Sequence, residues 1–211
     1  MKREKKEQKK SEKKNSKKSK MEEKDEPQQS YVCFLRGINI GNKRMKMKEL
    51  VDCLEQLNYS NVQTYIQTGN IIFDSSKQDS VNQFEKEIEN SILENFEFDV
   101  PNVVIKKEDY EKIFNDNPFL SNEDEEKNKK EEDLYLTFFC GNFDENLIDL
   151  EYTEEDKDNQ YFIKNNCAYL YISKSYSKSK INNTFFEKKL KINATTRNWK
   201  TIKKMFQMTK K

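Results

Sequence analysis

Apolar residues first gather at Tyr31-Val32-Cys33-Phe34-Leu35, a run short and hydrophobic enough for a central strand. Beyond a polar turn, Met47, Leu50, Val51, Leu54 and Leu57 recur at helical spacing and predict an amphipathic helix over about 46–58. Asn58-Tyr59-Ser60-Asn61 closes it with turn residues. Val62, Thr64, Ile66 and Thr68 then alternate with Gln63, Tyr65 and Gln67, the period of a half-exposed strand. Thr68-Gly69-Asn70 leads directly into Ile71-Ile72-Phe73, which reads as a tight hairpin. A second helix pattern follows on Val81, Phe84, Ile88, Ile92 and Phe96, and Pro101 opens a strand at Val103-Val104-Ile105. The order β-α-β-β-α-β is that of the split βαβ, or ferredoxin-like, plait.

The second half repeats this more loosely. A helical segment over Asp109–Asn115 precedes Leu134–Cys140, the strongest strand signal of this half. Gly141-Asn142 ends that strand, and a short helix is expected around Asp144–Leu150. Tyr161–Ile163 and Ala168–Ile172 flank Asn165-Asn166 as a second hairpin. Helices are expected near 180–190, on Ile181, Phe185 and Leu190, and at the end on Trp199, Ile202, Met205 and Phe206. The fold class is therefore α+β: two ferredoxin-like plaits packed in one compact body. The expected division is 1–30 as a disordered basic tail, 31–107 as the first plait, and 108–211 as a helical connection, charged loop and second plait.

Composition sets the tail apart. Residues 1–20 carry ten Lys and one Arg against three Glu, a net of +8, so residues 21–211 sum to −7 within a total of +1. The first 30 residues contain none of the 25 aromatics and too little apolar surface to offset the entropy of ordering them. Such a tail suits nuclear targeting or phosphate attachment, or is a solvated extension. Residues 121–133 carry no apolar side chain and read as an exposed charged loop. No apolar stretch is long enough for a membrane span and no secretory signal is evident, so an intracellular, cytoplasmic protein is expected, with nuclear entry left to the tail. Cys33, Cys53, Cys140 and Cys167 are widely spaced with no C-x-x-C pair, and without a signal peptide no disulfide framework is expected. The chain has no His, which removes His general bases, Ser–His and Cys–His pairs, and the commonest metal ligand. No cofactor, metal site or catalytic residue can be assigned.

Candidate chemistry lies in three polar stretches. In Arg36–Lys43, Gly37 and Gly41 allow backbone amides to turn inward, Arg36 and Lys43 add positive charge, and Asn39 donates and accepts hydrogen bonds. This matches neither G-x-G-x-x-G nor the P-loop, and an ordinary strand-to-helix turn remains the competing reading. Gln67-Thr68-Gly69-Asn70 is first a hairpin, with Gln63, Tyr65 and Gln67 on one face that either meets a flat ligand or packs on the second plait. Thr195-Thr196-Arg197-Asn198-Trp199 reads as a Thr-capped helix start with Arg197 in its first turn, where a cation opposes the helix dipole. The expected ligand-binding set is Arg36, Asn39, Gly41, Lys43, Gln67, Asn70, Thr196, Arg197 and Asn198, converging on a small anion, phosphate- or carboxylate-bearing, in a cleft between the plaits. The alternatives are a non-catalytic protein-interaction module and an RRM-like nucleic-acid module. The net charge of −7 outside the first 20 residues and the missing RRM signature confine nucleic acid to the tail.

The same stretches carry a resemblance. Phe34 to Gly41, Lys46-Met47 with Glu49-Leu50, Thr64 to Phe73, Ser177-Lys178-Ser179-Lys180 and Ala194 to Thr201 together resemble the domain of unknown function 1697 family, over about residues 31 to 208. Asn42 and Ser177 stand where that family usually has Gly. The resemblance implies a pair of ferredoxin-like plaits and no transferable activity.

Overall fold

The computed structural model describes residues 28–120, 130–149, 151–153 and 159–210, so the expectations for the basic tail and for most of the charged loop lie outside the described residues. Strands and helices follow in the order β1 (Gln29–Leu35), α1 (Met47–Glu55), β2 (Ser60–Tyr65), β3 (Asn70–Ser75), α2 (Val81–Phe96), β4 (Asn102–Lys106) and α3 (Lys107–Asn115). The second part continues with β5 (Leu134–Cys140), β6 (Glu151–Thr153), β7 (Asn159–Lys164), β8 (Cys167–Ile172), α4 (Asn183–Leu190), β9 (Asn193–Asn198) and α5 (Trp199–Met208). These make a mixed α/β protein with two antiparallel sheets, ordered β2-β3-β1-β4 and β6-β7-β8-β5-β9.

β1 is central because it is apolar on both faces. It pairs with β3 through Cys33 and Ile71 and with β4 through Cys33 and Val104. Alternation sends Tyr31, Cys33 and Leu35 toward a core that α1 and α2 close with Leu50, Leu54, Phe84, Ile88 and Ile92. Val32 and Phe34 face the other way, toward Leu136 and Phe138 of β5, so the two sheets face each other. Phe34 and Phe138 stack across this interface with centroids 4.4 Å apart. α3 and α5 fill the same layer, tied together where the Tyr110 hydroxyl donates to the carbonyl of Ile202 at 2.9 Å. α4 covers the outer face of the second sheet with Phe186 and Leu190. Trp199, fully buried at the start of α5, stacks on Phe114 at 5.2 Å, and its indole N–H has no partner among the described residues.

Three local expectations need correction. Asp144–Leu150 gives only a single 3-10 turn, Glu145–Leu147, before β6. β6 is itself three exposed residues, too short to show a period. Ile66 does not continue the alternation of β2: it has a φ of 50° and its side chain is exposed. Thr195 and Thr196 do not cap a helix but lie inside β9, as β-branched residues favour. The Asn165-Asn166 hairpin forms as expected, with both residues at φ 56°, the left-handed pair a two-residue turn requires.

Because Phe34 is buried between the sheets, Phe34→Ala is expected to cost about 3–5 kcal/mol of stability. Urea unfolding followed through Trp199 checks this; a loss below about 1 kcal/mol would show that the facing sheets do not depend on each other.

Candidate ligand site

The three polar stretches meet where β1 ends. Leu35 donates its N–H to the carbonyl of Gly69 at 2.8 Å, which brings the β2–β3 hairpin against the Arg36–Lys43 turn. Gly69, at φ 74°, has no room for a side chain: a Cβ there would lie 2.5 Å from Cβ of Leu35. Asn39, also left-handed at φ 56°, fixes the turn by donating to the Gln67 carbonyl at 2.9 Å and accepting from the Met45 N–H at 2.9 Å.

Arg197 reaches this junction from β9, with a relative exposure of 8%. Its Nε donates to Oδ1 of Asn70. Nη1 donates to Oγ1 of Thr195 at 2.7 Å and to the Thr196 carbonyl at 3.0 Å. Nη2 donates to the carbonyls of Leu35 at 2.7 Å and Thr68 at 2.8 Å. All of these acceptors are neutral. Burial lowers the guanidinium pKa to about 10, which leaves it charged at neutral pH. Asn70, fully buried, holds its side chain for this contact by donating to the Tyr65 carbonyl and to Oγ1 of Thr68, both at 2.9 Å. The dipole conflict expected of Arg197 therefore does not arise. The N-cap of α5 is Asn198, whose Oδ1 accepts from the Thr201 N–H at 2.9 Å, and Arg197 precedes it in the strand.

Arg36 makes the other bridge between the two parts of the chain. Its Nε and Nη2 grip the Glu187 carboxylate of α4 at 2.5 and 2.9 Å, a two-pronged ion pair. Burial pushes the Glu187 carboxyl up, but hydrogen bonds from Arg36 and from the Ala194 N–H outweigh it and hold the pKa below the usual value. Glu187 is absent from the residues singled out by sequence. Its role becomes legible only once 193–198 is known to be a strand lying under α4.

An open depression of about 510 Å³ lies on this turn, lined by Arg36, Gly37, Ile40, Gly41, Lys43, Pro101 and, from the second part, Asn193. Of the nine residues expected to bind a ligand, Arg36, Gly41 and Lys43 line it. Asn39, Asn70 and Arg197 hold the loops in place. Thr196 lies on the opposite face of its sheet, bonded to Oγ1 of Thr137 and to Oδ1 of Asn183. Gln67 and Asn198 are exposed. Lys43 Nζ donates to the Asp99 carbonyl at 2.6 Å. The amides of Gly37, Ile40 and Gly41 have no acceptor among the described residues. Burial raises the pKa of each cysteine, Cys140 to about 12.

The sequence profile described as protein of unknown function (DUF1697) matches residues 28–169, about two thirds of the chain. The chain belongs to the DUF1697 family. Comparison with curated proteins gives no match. Among solved structures, the conserved bacterial protein SP0830 from Streptococcus pneumoniae is similar at a TM-score of 0.64 and 22% identity, over 86% of this chain and 99% of that one. At that identity the likeness speaks for the fold alone. In this DUF1697 protein the turn, the hairpin and the Arg197 strand meet in space through Arg197 and Asn39, although up to 162 residues separate the bonded partners. No helix among the described residues is long and apolar enough to cross a membrane.

Two outcomes follow for these bridges. Arg197→Met, which keeps the bulk but takes this donor from the Thr68 carbonyl and Oδ1 of Asn70, is expected to cost about 1–3 kcal/mol, the penalty for leaving a buried acceptor unsatisfied; chemical denaturation measures it, and no measurable cost would mean that water replaces the guanidinium freely. The Glu187 pKa is lower folded than unfolded, so its contribution is fully present above the ordinary carboxylate value and is lost as pH falls through the folded one. Between pH 7 and roughly pH 3 the wild type should therefore lose stability more steeply than Arg36→Ala, in which only burial and the Ala194 N–H still act on Glu187. Parallel pH profiles of the two proteins would contradict this.

Proposed function

We propose that the depression on the Arg36–Lys43 turn binds a small anionic ligand bearing a phosphate or carboxylate group. The observation that carries this reading is the set of unpartnered amides of Gly37, Ile40 and Gly41, flanked by Arg36 and Lys43. Successive backbone N–H groups around left-handed residues form an anion-accepting concavity. Here Gly37 and Gly41 have φ of 68° and 55°. Arg36 is partly neutralised by Glu187, so the amides and Lys43 supply the specific donors and Arg36 adds field. Lys43 is bonded to a neutral carbonyl, which an anion can displace at little cost. The chain positions for acid–base chemistry are left without an assigned residue.

We further infer that residues 31–107 and 108–211 each build a split βαβ plait around one sheet. In support, β1 to β4 and β5, β7, β8 and β9 take corresponding places in the two strand orders. The interaction-module reading is favoured by one observation, the exposure of Ile40 at 63% and of Ile66 at 48% beside this turn and hairpin. The RRM-like reading lacks an open sheet face, since the face of the first sheet away from α1 and α2 is covered by Phe138, Tyr169 and Trp199.

Titration with inorganic phosphate, sulfate and acetate, followed by amide resonances, tests the proposal. Gly37, Ile40 and Gly41 should shift together and saturate, and Lys43→Met should weaken binding by about tenfold, or 1.4 kcal/mol. Binding that leaves those three amides unmoved would place the anion elsewhere and sink this reading.

A further inference from the structure

A second cavity, of about 370 Å³, lies between α2, the edge strand β4, α3 and the turns that end β5 and join β7 to β8. It shares no lining residue with the depression on the Arg36 turn. Its walls are apolar at Val103, Ile105, Ile113 and Phe138; Glu85 and Asp109 bring carboxylates to it and Lys106 and Lys112 ammonium groups, with Asp109 and Lys112 paired to each other.

The second half of the chain shows what a carboxylate in this position requires. Glu85 is the fifth residue of α2, and its Oε1 accepts from the N–H of Val104 on β4 at 3.0 Å. Glu187 is the fifth residue of α4, and its Oε1 accepts from the N–H of Ala194 on β9 at 3.0 Å. β4 and β9 hold the same end position in their sheets, beside β1 and β5. The two glutamates are thus one device used twice. They differ in what completes them. Glu187 is gripped by the guanidinium of Arg36, whereas the second oxygen of Glu85 has no partner among the described residues.

The charges around Glu85 do not supply that partner. Burial raises its pKa, the Val104 N–H lowers it, and Glu89 raises it further; no cation contributes. On the facing elements, Lys112 is taken by Asp109 at 2.9 Å. Lys106 is exposed at the end of β4 and forms no ion pair with Glu85. A half-buried carboxylate without a cation is costly, and an apolar wall beside it offers burial to whatever carries one.

We propose that this cavity binds a small organic cation, an ammonium or guanidinium on an apolar body, with Glu85 as its counter-ion. The ligand cation takes in the first half of the molecule the place that Arg36 takes in the second. Its apolar body lies on Val103, Ile105, Ile113 and Phe138.

Phenethylamine and its neutral counterpart 2-phenylethanol separate charge from apolar fit. With the full chain, phenethylamine should shift the Val104 amide and the Glu85 carboxyl carbon in a saturable way. The alcohol, and phenethylamine with Glu85→Gln, should bind about tenfold more weakly or worse. The glutamine oxygen can still accept from Val104, so the fold is expected to survive. Should that variant fail to fold, the amine-against-alcohol comparison and the Glu85 carboxyl shift in the wild type decide alone. Equal affinity for amine and alcohol, undiminished binding by Glu85→Gln, or no saturable shift at millimolar amine each overturns the proposal.

Discussion

A guanidinium taken out of water must find an acceptor for its N–H groups, and Arg197 finds them only where two loops of the first sheet and one strand of the second come together. Its acceptors are the backbone of Leu35 and Thr68, the side chain of Asn70, and its own neighbours Thr195 and Thr196. None is an anion, so the charge is stabilised by aligned carbonyl dipoles and by the face of Phe34, 5.4 Å below the guanidinium carbon. Other features follow from this requirement. Gly69 must be glycine for the hairpin carbonyls to come close enough, and Asn70 must be buried to meet Nε. With the hairpin fixed, the Arg36 turn is fixed through Asn39, and the depression takes its shape.

The same logic separates two kinds of cation that look alike in sequence. Arg36 and Arg197 both sit in polar motifs beside Asn and Gly, yet one is half exposed against a carboxylate and the other is buried among neutral groups. Only the first remains near solvent. The polar motifs are therefore mainly internal joints, and the surface they leave for a ligand is the narrow part of the turn with amides still unused.

Much of the fold is readable from periodicity. The apolar run at 31–35, the helical spacing of Phe84, Ile88 and Ile92, and the Asn-Asn hairpin each carry their structure in local sequence. β9 is harder to read, because Ala194-Thr195-Thr196-Arg197 buries a cation and has no apolar alternation to announce a strand. That one omission has a price at the site: it turns Arg197 into a helix residue, hides the true cap Asn198, and conceals the ion pair of Glu187 with Arg36. Glu85 is hidden for a related reason. A glutamate on an amphipathic helix is indistinguishable from a solvated one until the edge strand beneath it is placed. Sequence marks what each element is made of, while the partners of a buried polar group depend on which elements are neighbours.

The paired glutamates bear also on what the sheet edges offer to another chain. An edge strand offers unpaired N–H groups to any passing chain, and such templates lead to edge-to-edge association. At β4 and β9 an N–H that another strand would need is already held by a carboxylate reaching down from the covering helix, at 3.0 Å in both cases. A strand added there would have to displace a charge as well as water. The opposite edges lack this lock: β6 is only three residues long, and β2 is interrupted by a register shift between Ser60 and Gln63. Sheet extension is thus discouraged at one end of each sheet by electrostatics and at the other by shortness and irregularity.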